Sequence, residues 1–312
     1  MNAPRSIDEY LKQLRGALEG QDPALIQDAL YDAEEYLRAE LAAHPGKSEA
    51  DVLELIASTY GAPEEVAAAY RDTEVKVKAA LKTPAPRGAA SASGWARFFG
   101  VYLDTRAYTA LFYMLLALAT GIVYFTIVVA GLSLSAGLAV LIIGVPFFLA
   151  FIGITRVIAL GEGRLLEAIT GERMPRRPLH PGPAASWWTR IVEMLKDART
   201  WTTLAYLLVM LPLGIAYFTV AVTGLAVSAA FIVTPLAMLA QYFGWVHLNV
   251  RSDTGTLIGW DGSTWWAEHP AFSGVLLLVA GVVLLTLLLH LARGLIRGHA
   301  HLAKSLLVVP GA

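Results

Sequence analysis

Cysteine is absent from all 312 residues. That excludes disulfides, thiolate zinc sites, iron–sulfur clusters and cysteine nucleophiles. Charge is scarce as well: Asp, Glu, Lys and Arg make up 16% of the chain against 56% hydrophobic residues. No water-facing surface of ordinary composition can be built from that mixture, so lipid is the expected solvent for much of the chain. The phosphate-cradling G-x-x-x-x-G-K-[ST], the nucleophile elbow G-x-S-x-G and the zinc-binding H-E-x-x-H are missing too. The sequence therefore names no catalytic, cofactor-binding or metal-binding residue. His299 and His301 lie close together without a carboxylate, and such pairs are more often solvated or headgroup-facing than metal ligands. His290 falls near the end of an apolar run, where an interfacial position is expected. The first twenty residues lack a basic start leading into an apolar run, so no cleavable secretory signal is expected and the N-terminus is placed in the cytoplasm.

What is present divides by charge. The formal net charge is −1, but residues 1–82 carry 9 Lys/Arg and 16 Asp/Glu, while the remainder carries 15 and 9. The acidic part is polar and patterned for helices. Ser6 with Glu9 and Ser48 with Asp51 have capping-box spacing. Asp22 precedes Pro23, and Pro63 opens a segment with Glu64 and Glu65 in its first turn. Between these starts, apolar residues recur at helical spacing: Tyr10, Leu11, Leu14 and Leu18, then Ile26, Leu30, Ala33, Leu37 and Leu41, then Val52 and Ile56. Residues 1–82 are thus expected to form a small soluble bundle of four helices, joined by a linker at 83–93, TPAPRGAASAS, to a membrane domain at 94–307.

In that domain Arg106 and Arg156 bracket 49 residues without Asp, Glu, Lys or Arg, Arg199 and Arg251 bracket 51, and Glu268 and Arg293 bracket 24. One crossing needs about 20 apolar residues. The first stretch predicts a hairpin turning near Gly131, and the last predicts one span near 271–291. The middle stretch predicts one helix near 202–223, with residues 226–250 either re-entrant or leaving on the outer face, or else crossing. Basic residues crowd the loop from Arg156 to Arg199, which places it inside, and favour four spans with both termini cytoplasmic. Strict repeat symmetry argues instead for five.

Shifting the sequence by 93 positions aligns the segments at about 93–157 and 186–250. Trp95 matches Trp188, Asp104 matches Asp197 and Arg106 matches Arg199. Tyr113 matches Tyr206, and Tyr124-Phe125-Thr126 matches Tyr217-Phe218-Thr219. Leucine-rich composition alone would not place Trp, Asp, Arg and Tyr-Phe-Thr in register, so an internal repeat is read, parallel and with its pseudo-axis along the membrane normal. The fold class expected is all-α, a soluble bundle plus a polytopic membrane domain built from this repeat. Asp104, Arg106, Asp197 and Arg199 form a membrane-boundary motif in which arginine reaches headgroups and aspartate caps the entering helix. Tyr113, Tyr124, Phe125, Thr126, Tyr206, Tyr217, Phe218 and Thr219 either line a small cavity between repeats or pack a helix interface. Trp95, Trp188, Trp260, Trp265 and Trp266 are expected at the interface, with Trp245 near the last three. The acidic bundle either docks a basic partner or packs on the Arg164–Arg199 loop.

Two resemblances follow. IDEYLKQLRGAL, ALYDAEEYLRAEL and YGAPEEVAAAYR, between Ile7 and Arg71, resemble the HAAS domain, a helical signalling domain often encoded beside PadR-type transcription regulators. From Trp95 to Leu307 the units DTRAYTALFYMLLALATGIVYF and DARTWTTLAYLLVMLPLGIAYF, the GVPF step and HLARGLIRGHAHLAKSLL resemble the bacterial "putative sensor" domain, found at the membrane end of some actinobacterial histidine kinases. No kinase signature accompanies it here, so autophosphorylation is not implied. The resemblances imply a non-catalytic sensory protein of the bacterial inner membrane. Its expected partners are membrane lipid, a cytoplasmic transcription regulator reached through residues 1–82, and further copies or other membrane subunits, with no direct nucleic-acid contact. The alternatives are a small-molecule or lipid-binding carrier or enzyme, and a structural subunit of a membrane complex.

Overall fold

Ser6 starts the first helix by accepting the Glu9 N–H at 3.2 Å, and each later helix of the N-terminal region begins with similarly local chemistry. The computed structural model describes residues 4–81, 94–138, 144–175, 192, 195–245 and 270–307. Four helices form the bundle: α1 (Ile7–Ala17), α2 (Pro23–Ala43), α3 (Glu49–Ile56) and α4 (Pro63–Leu81). Asp22 caps α2 through the Ala24 N–H at 3.0 Å with Pro23 in the first turn. Ser48 and Asp51 exchange both bonds of a capping box at α3. The turn before α4 places Gly61 at φ 98°, a backbone conformation that L side chains rarely adopt, and its carbonyl accepts the Tyr10 hydroxyl at 2.9 Å. Tyr10, Leu14 and Leu18 of the first segment close on Ala29, Ala33 and Leu37 of α2, Leu53 and Ile56 of α3, and Val66 and Ala67 of α4. Ile26, Leu30 and Leu41, on the neighbouring face of α2, are half-buried against that core.

A short helix α5 (Gly94–Phe99) and a 3-10 turn (Gly100–Leu103) lead into the long helices α6 (Thr105–Leu138), α7 (Gly144–Thr170), α8 (Ala198–Tyr242) and α9 (Pro270–Leu307). The described residues are thus all-helical. Among the described residues four helices are long and apolar enough to cross a membrane: Thr105–Leu138, Pro146–Thr170, Ala198–Ala240 and Ala271–Leu307. At 1.5 Å per residue α6 is about 51 Å long and α8 about 68 Å, both well beyond a hydrocarbon core of about 30 Å.

Two expectations about these helices need correction. No turn occurs at Gly131, which lies inside α6. A Cβ there would stand 2.1 Å from ring carbons of Phe151 on α7, so the missing side chain serves close packing instead of a bend. Likewise residues 226–242 form neither a re-entrant arm nor a separate crossing helix. They continue α8 without interruption through Gly224, where a Cβ would meet a Leu288 methyl at 2.7 Å, and through Pro235 inside the helix.

The chain divides into two compact units, one comprising Met1–Arg87, Gly121–Leu211 and Arg297–Ala312, the other Gly88–Thr120 and Pro212–Ile296. In the first, a Cβ at Gly121 would stand 2.6 Å from the Met210 carbonyl oxygen. In the second, a Cβ at Gly214 would stand 2.3 Å from the Ala117 carbonyl oxygen. The two contacts join residues related by the 93-position shift, so each unit contains the same close backbone approach between α6 and α8. In the second unit Val101 and Ala107 also pack on Leu289, and the Tyr102 hydroxyl lies 3.0 Å from the Thr286 hydroxyl.

Candidate functional site

The Asp-x-Arg steps show what the boundary motif does locally. Asp104 accepts the Arg106 N–H at 3.0 Å, and Asp197 accepts the Arg199 N–H at the same distance. Each aspartate therefore caps the helix that follows it. One turn later the Thr109 and Thr202 hydroxyls return to the carbonyls of Arg106 and Arg199. The second carboxylate oxygen of each aspartate binds an arginine from another long helix: Asp104 meets Arg293 of α9 at 3.1 Å, and Asp197 meets Arg156 of α7 at 3.3 Å. Both ion pairs are partly solvated, so each contributes at most about 1 kcal/mol as an ion pair. They still fix which helices meet. Past its arginine each partner helix runs a further 14 residues, to Thr170 in α7 and to Leu307 in α9.

Within the first unit these extensions meet the acidic bundle. Gly171, at φ 75°, ends α7. Two residues on, Arg173 reaches between α2 and α4, binding Asp28 at 2.8 Å through Nη2 and Glu74 through Nη1. The three side chains are only 9%, 5% and 4% exposed, and Met174 beside them is fully buried. From α9, Lys304 binds Asp22 at the start of α2 at 2.7 Å, and His301 faces Glu172 at 3.4 Å. An arginine of the basic loop is thus the cation that two carboxylates of the bundle enclose. Sequence reasoning singled out neither Asp28 nor Glu74. The available signal was Asp28 interrupting the buried stripe of Leu25, Ala29 and Ala33, and Glu74 continuing the line of Val66, Ala67 and Tyr70 one turn on.

Beside this ion triad lies a cavity of about 230 Å³ lined by Leu25, Asp28, Asp32, Tyr70, Thr73, Glu74, Val77 and Arg173. A wider cleft of about 830 Å³ opens on the bundle face formed by Asp32, Glu35, Tyr36, Tyr60, Glu65 and Tyr70. Tyr36 and Tyr60 stack there at 4.3 Å, and the Tyr70 hydroxyl donates to Asp32 at 2.8 Å. Burial pushes the Tyr60 phenol up to about 12. It also raises Tyr10, and Tyr70 for the same reason with a further contribution from its bond to Asp32.

The eight residues proposed for an inter-repeat cavity divide between the units. In the first, Tyr206 is fully buried with its hydroxyl 3.1 Å from His299 Nε2, and Tyr124 donates to Glu162 at 2.8 Å. Phe125 and Thr126 are exposed, the Thr126 hydroxyl turning back to the Ile122 carbonyl. In the second, Tyr113 is buried, Tyr217 and Phe218 are half-buried and Thr219 is exposed. His299, expected to be solvated, is instead 2% exposed, because the Tyr206 phenol supplies its ring with a partner. Glu162 and His299 each follow the boundary arginine of their helix by six residues, so both helices carry a buried polar group bound to a tyrosine at that position.

Trp95 is exposed and stacks on Phe99 at 6.1 Å, and Trp245 is exposed beside Phe243. His290 bonds the Phe98 carbonyl at 2.9 Å. Trp188, Trp260, Trp265 and Trp266 lie outside the described residues. Among the described residues no group of three His, Cys, Asp or Glu side chains is placed to hold a metal ion.

Compared with known proteins, residues 113–307 match a family model described as Putative sensor. No curated protein and no solved structure matches the chain.

Proposed function

The chain belongs to the Putative sensor family, and from that premise we propose that it is a non-catalytic sensory protein of the bacterial inner membrane. On this reading the N- and C-termini are cytoplasmic, the long helices respond to a membrane or extracytoplasmic condition, and the N-terminal bundle passes the response to a soluble cytoplasmic partner. A PadR-type transcription regulator is the candidate, by the resemblance of residues 7–71 to the HAAS domain. The observation that carries the proposal is Arg173. The bundle is attached to the membrane helices at the extended ends of α7 and α9, through a buried cation on Asp28 and Glu74 and a partly solvated one on Asp22. A rearrangement of α7 against α9 therefore changes the contacts available to the bundle, and a signal requires such a difference in contacts between two states.

The test uses the full chain in lipid nanodiscs as bait for cytoplasmic proteins of its own source cells, beside an Arg173→Ala chain. The reading expects a soluble regulator recovered by the wild type and a changed yield with the variant. Recovery of no soluble regulator by either chain, together with unchanged transcripts in cells lacking residues 1–82, overturns it.

A further inference from the structure

Arg199 is the second residue of α8, and among the described residues no acceptor reaches its buried Nη1. Its own backbone N–H occupies one oxygen of Asp197, and Arg156 occupies the other at 3.3 Å. Arg156 also reaches the buried Thr200 hydroxyl at 3.3 Å. Arg15, on the exposed side of α1, lies within electrostatic reach of Arg199, as does Arg156. Arg15 and Arg156 thus both lie within electrostatic reach of Arg199, the Asp197 carboxylate that attracts Arg199 is already engaged by Arg156, and one buried charged donor has no acceptor among the described residues. The position 93 residues earlier behaves differently. Arg106 has an interaction partner of its own, and the Asp104 carboxylate meets one arginine, Arg293.

A cluster of this kind suits an anion. Guanidinium groups bind tetrahedral oxyanions through paired N–H donors, more tightly than a lysine point charge does. A hydroxyl that already accepts from Arg156 keeps its own proton for donation. The cluster also sits at the first turn of a membrane-length helix, the level at which lipid phosphates lie. We propose that Arg15, Arg156, Arg199 and Thr200 form a binding site for a phosphate group, carried by an anionic lipid headgroup or by a free phosphate. The inference stands apart from the relay reading: an anion held here touches the bundle through Arg15 and the membrane helices through Arg156 and Arg199, whether or not a regulator binds.

The full chain in neutral detergent is titrated, at constant ionic strength set with chloride, with phosphatidylglycerol, phosphatidylcholine and inorganic phosphate. The thermal unfolding midpoint and native mass spectrometry are read together. Phosphatidylglycerol alone raising the midpoint identifies a lipid headgroup; inorganic phosphate raising it as well identifies a free phosphate. In either case Arg199→Gln weakens binding about tenfold, as expected for losing a charge-assisted bond, while Arg106→Gln leaves it within about twofold. Arg15→Gln, a change on an exposed helix face that does not threaten folding, weakens it too. If neither anion moves the midpoint beyond phosphatidylcholine and chloride, or if both Arg199→Gln and Arg15→Gln bind as the wild type does, the site is refuted.

Discussion

Truncating Arg173 to alanine removes the cation that Asp28 and Glu74 share and leaves both carboxylates where they are. Their side chains are 5% and 4% exposed, so the guanidinium can be replaced only by water entering from the adjoining cavity of about 230 Å³. Breaking a buried pair from one side costs about 3–5 kcal/mol, mostly the penalty of the stranded charge. Domains have only about 5–15 kcal/mol in total. The bundle relaxes by taking up protons or by opening α2 from α4, and both loosen its attachment to the end of α7. Since 1.4 kcal/mol is tenfold, the opening equilibrium shifts by about 100- to 4000-fold. Hydrogen exchange of the full chain in nanodiscs reads this directly: peptides from α2 and α4 exchange faster by that factor, with α6 as internal reference. The combined variant Asp28→Asn, Glu74→Gln, Arg173→Met removes the charges together and recovers most of the protection, because a neutral, well-filled substitute for a buried ion triad is close to isoenergetic. Wild-type exchange in α2 and α4 of the Arg173→Ala chain would refute the argument that this arginine holds the bundle.

Alanine at Gly121 or Gly214 drives a methyl group into the backbone of the facing helix, and each lowers stability by about 1–3 kcal/mol. Gly137→Ala, which meets nothing within 4 Å, is neutral or slightly stabilising in the same thermal melts. Asn at Asp104 or Asp197 keeps the cap and loses only the partly solvated ion pair, about 0–1 kcal/mol; Ala loses the cap as well, a further 0.5–2 kcal/mol or so. Equal midpoints for the Asn and Ala variants would show that capping plays no part. The folded-state pKa values of Tyr10, Tyr60 and Tyr70 are raised above the ordinary phenol value of 10.0. The stability they contribute is full below pH 10 and is lost as pH rises through about 12 and beyond. Tyrosinate absorbance at 295 nm should therefore rise late for these three and together with loss of bundle helicity; Tyr70→Phe removes one late-titrating phenol, and early titration of all the tyrosines would contradict their burial.

The parts of the fold set within a few residues were readable from the chain. Ser6, Asp22 and Ser48 start helices through bonds spanning two or three positions, the turn at Pro63 is closed by the Ala62 N–H on Glu65, and charge-free runs of 49 and 51 residues fit lipid. Gly131 was misleading because a glycine in an apolar run serves a turn or a close approach equally well. The choice is made by Phe151, on a helix whose position no local pattern encodes. Residues 226–242 likewise continue α8 past Gly224 and Pro235, because other groups compensate for such residues within membrane helices.

The boundary motif divides along the same line. Capping by Asp104 and Asp197 is an i to i+2 bond and was anticipated from the Asp-x-Arg spacing; the arginines that use the other oxygen, Arg293 and Arg156, come from distant segments. Arg173 is the sharper case. It is one of eight basic residues from Arg156 to Arg199, and nothing in its own neighbourhood distinguishes it from Arg164 or Arg176. What selects it is on the other side: Asp28 and Glu74 sit on the buried faces of α2 and α4, where a carboxylate is tolerated only with a cation. A carboxylate inside an apolar helical stripe is therefore a demand written in sequence, even when the residue that meets it is not. Glu162 and Glu167, buried on α7, are held by partners as well, the Tyr124 hydroxyl being one of those on Glu162.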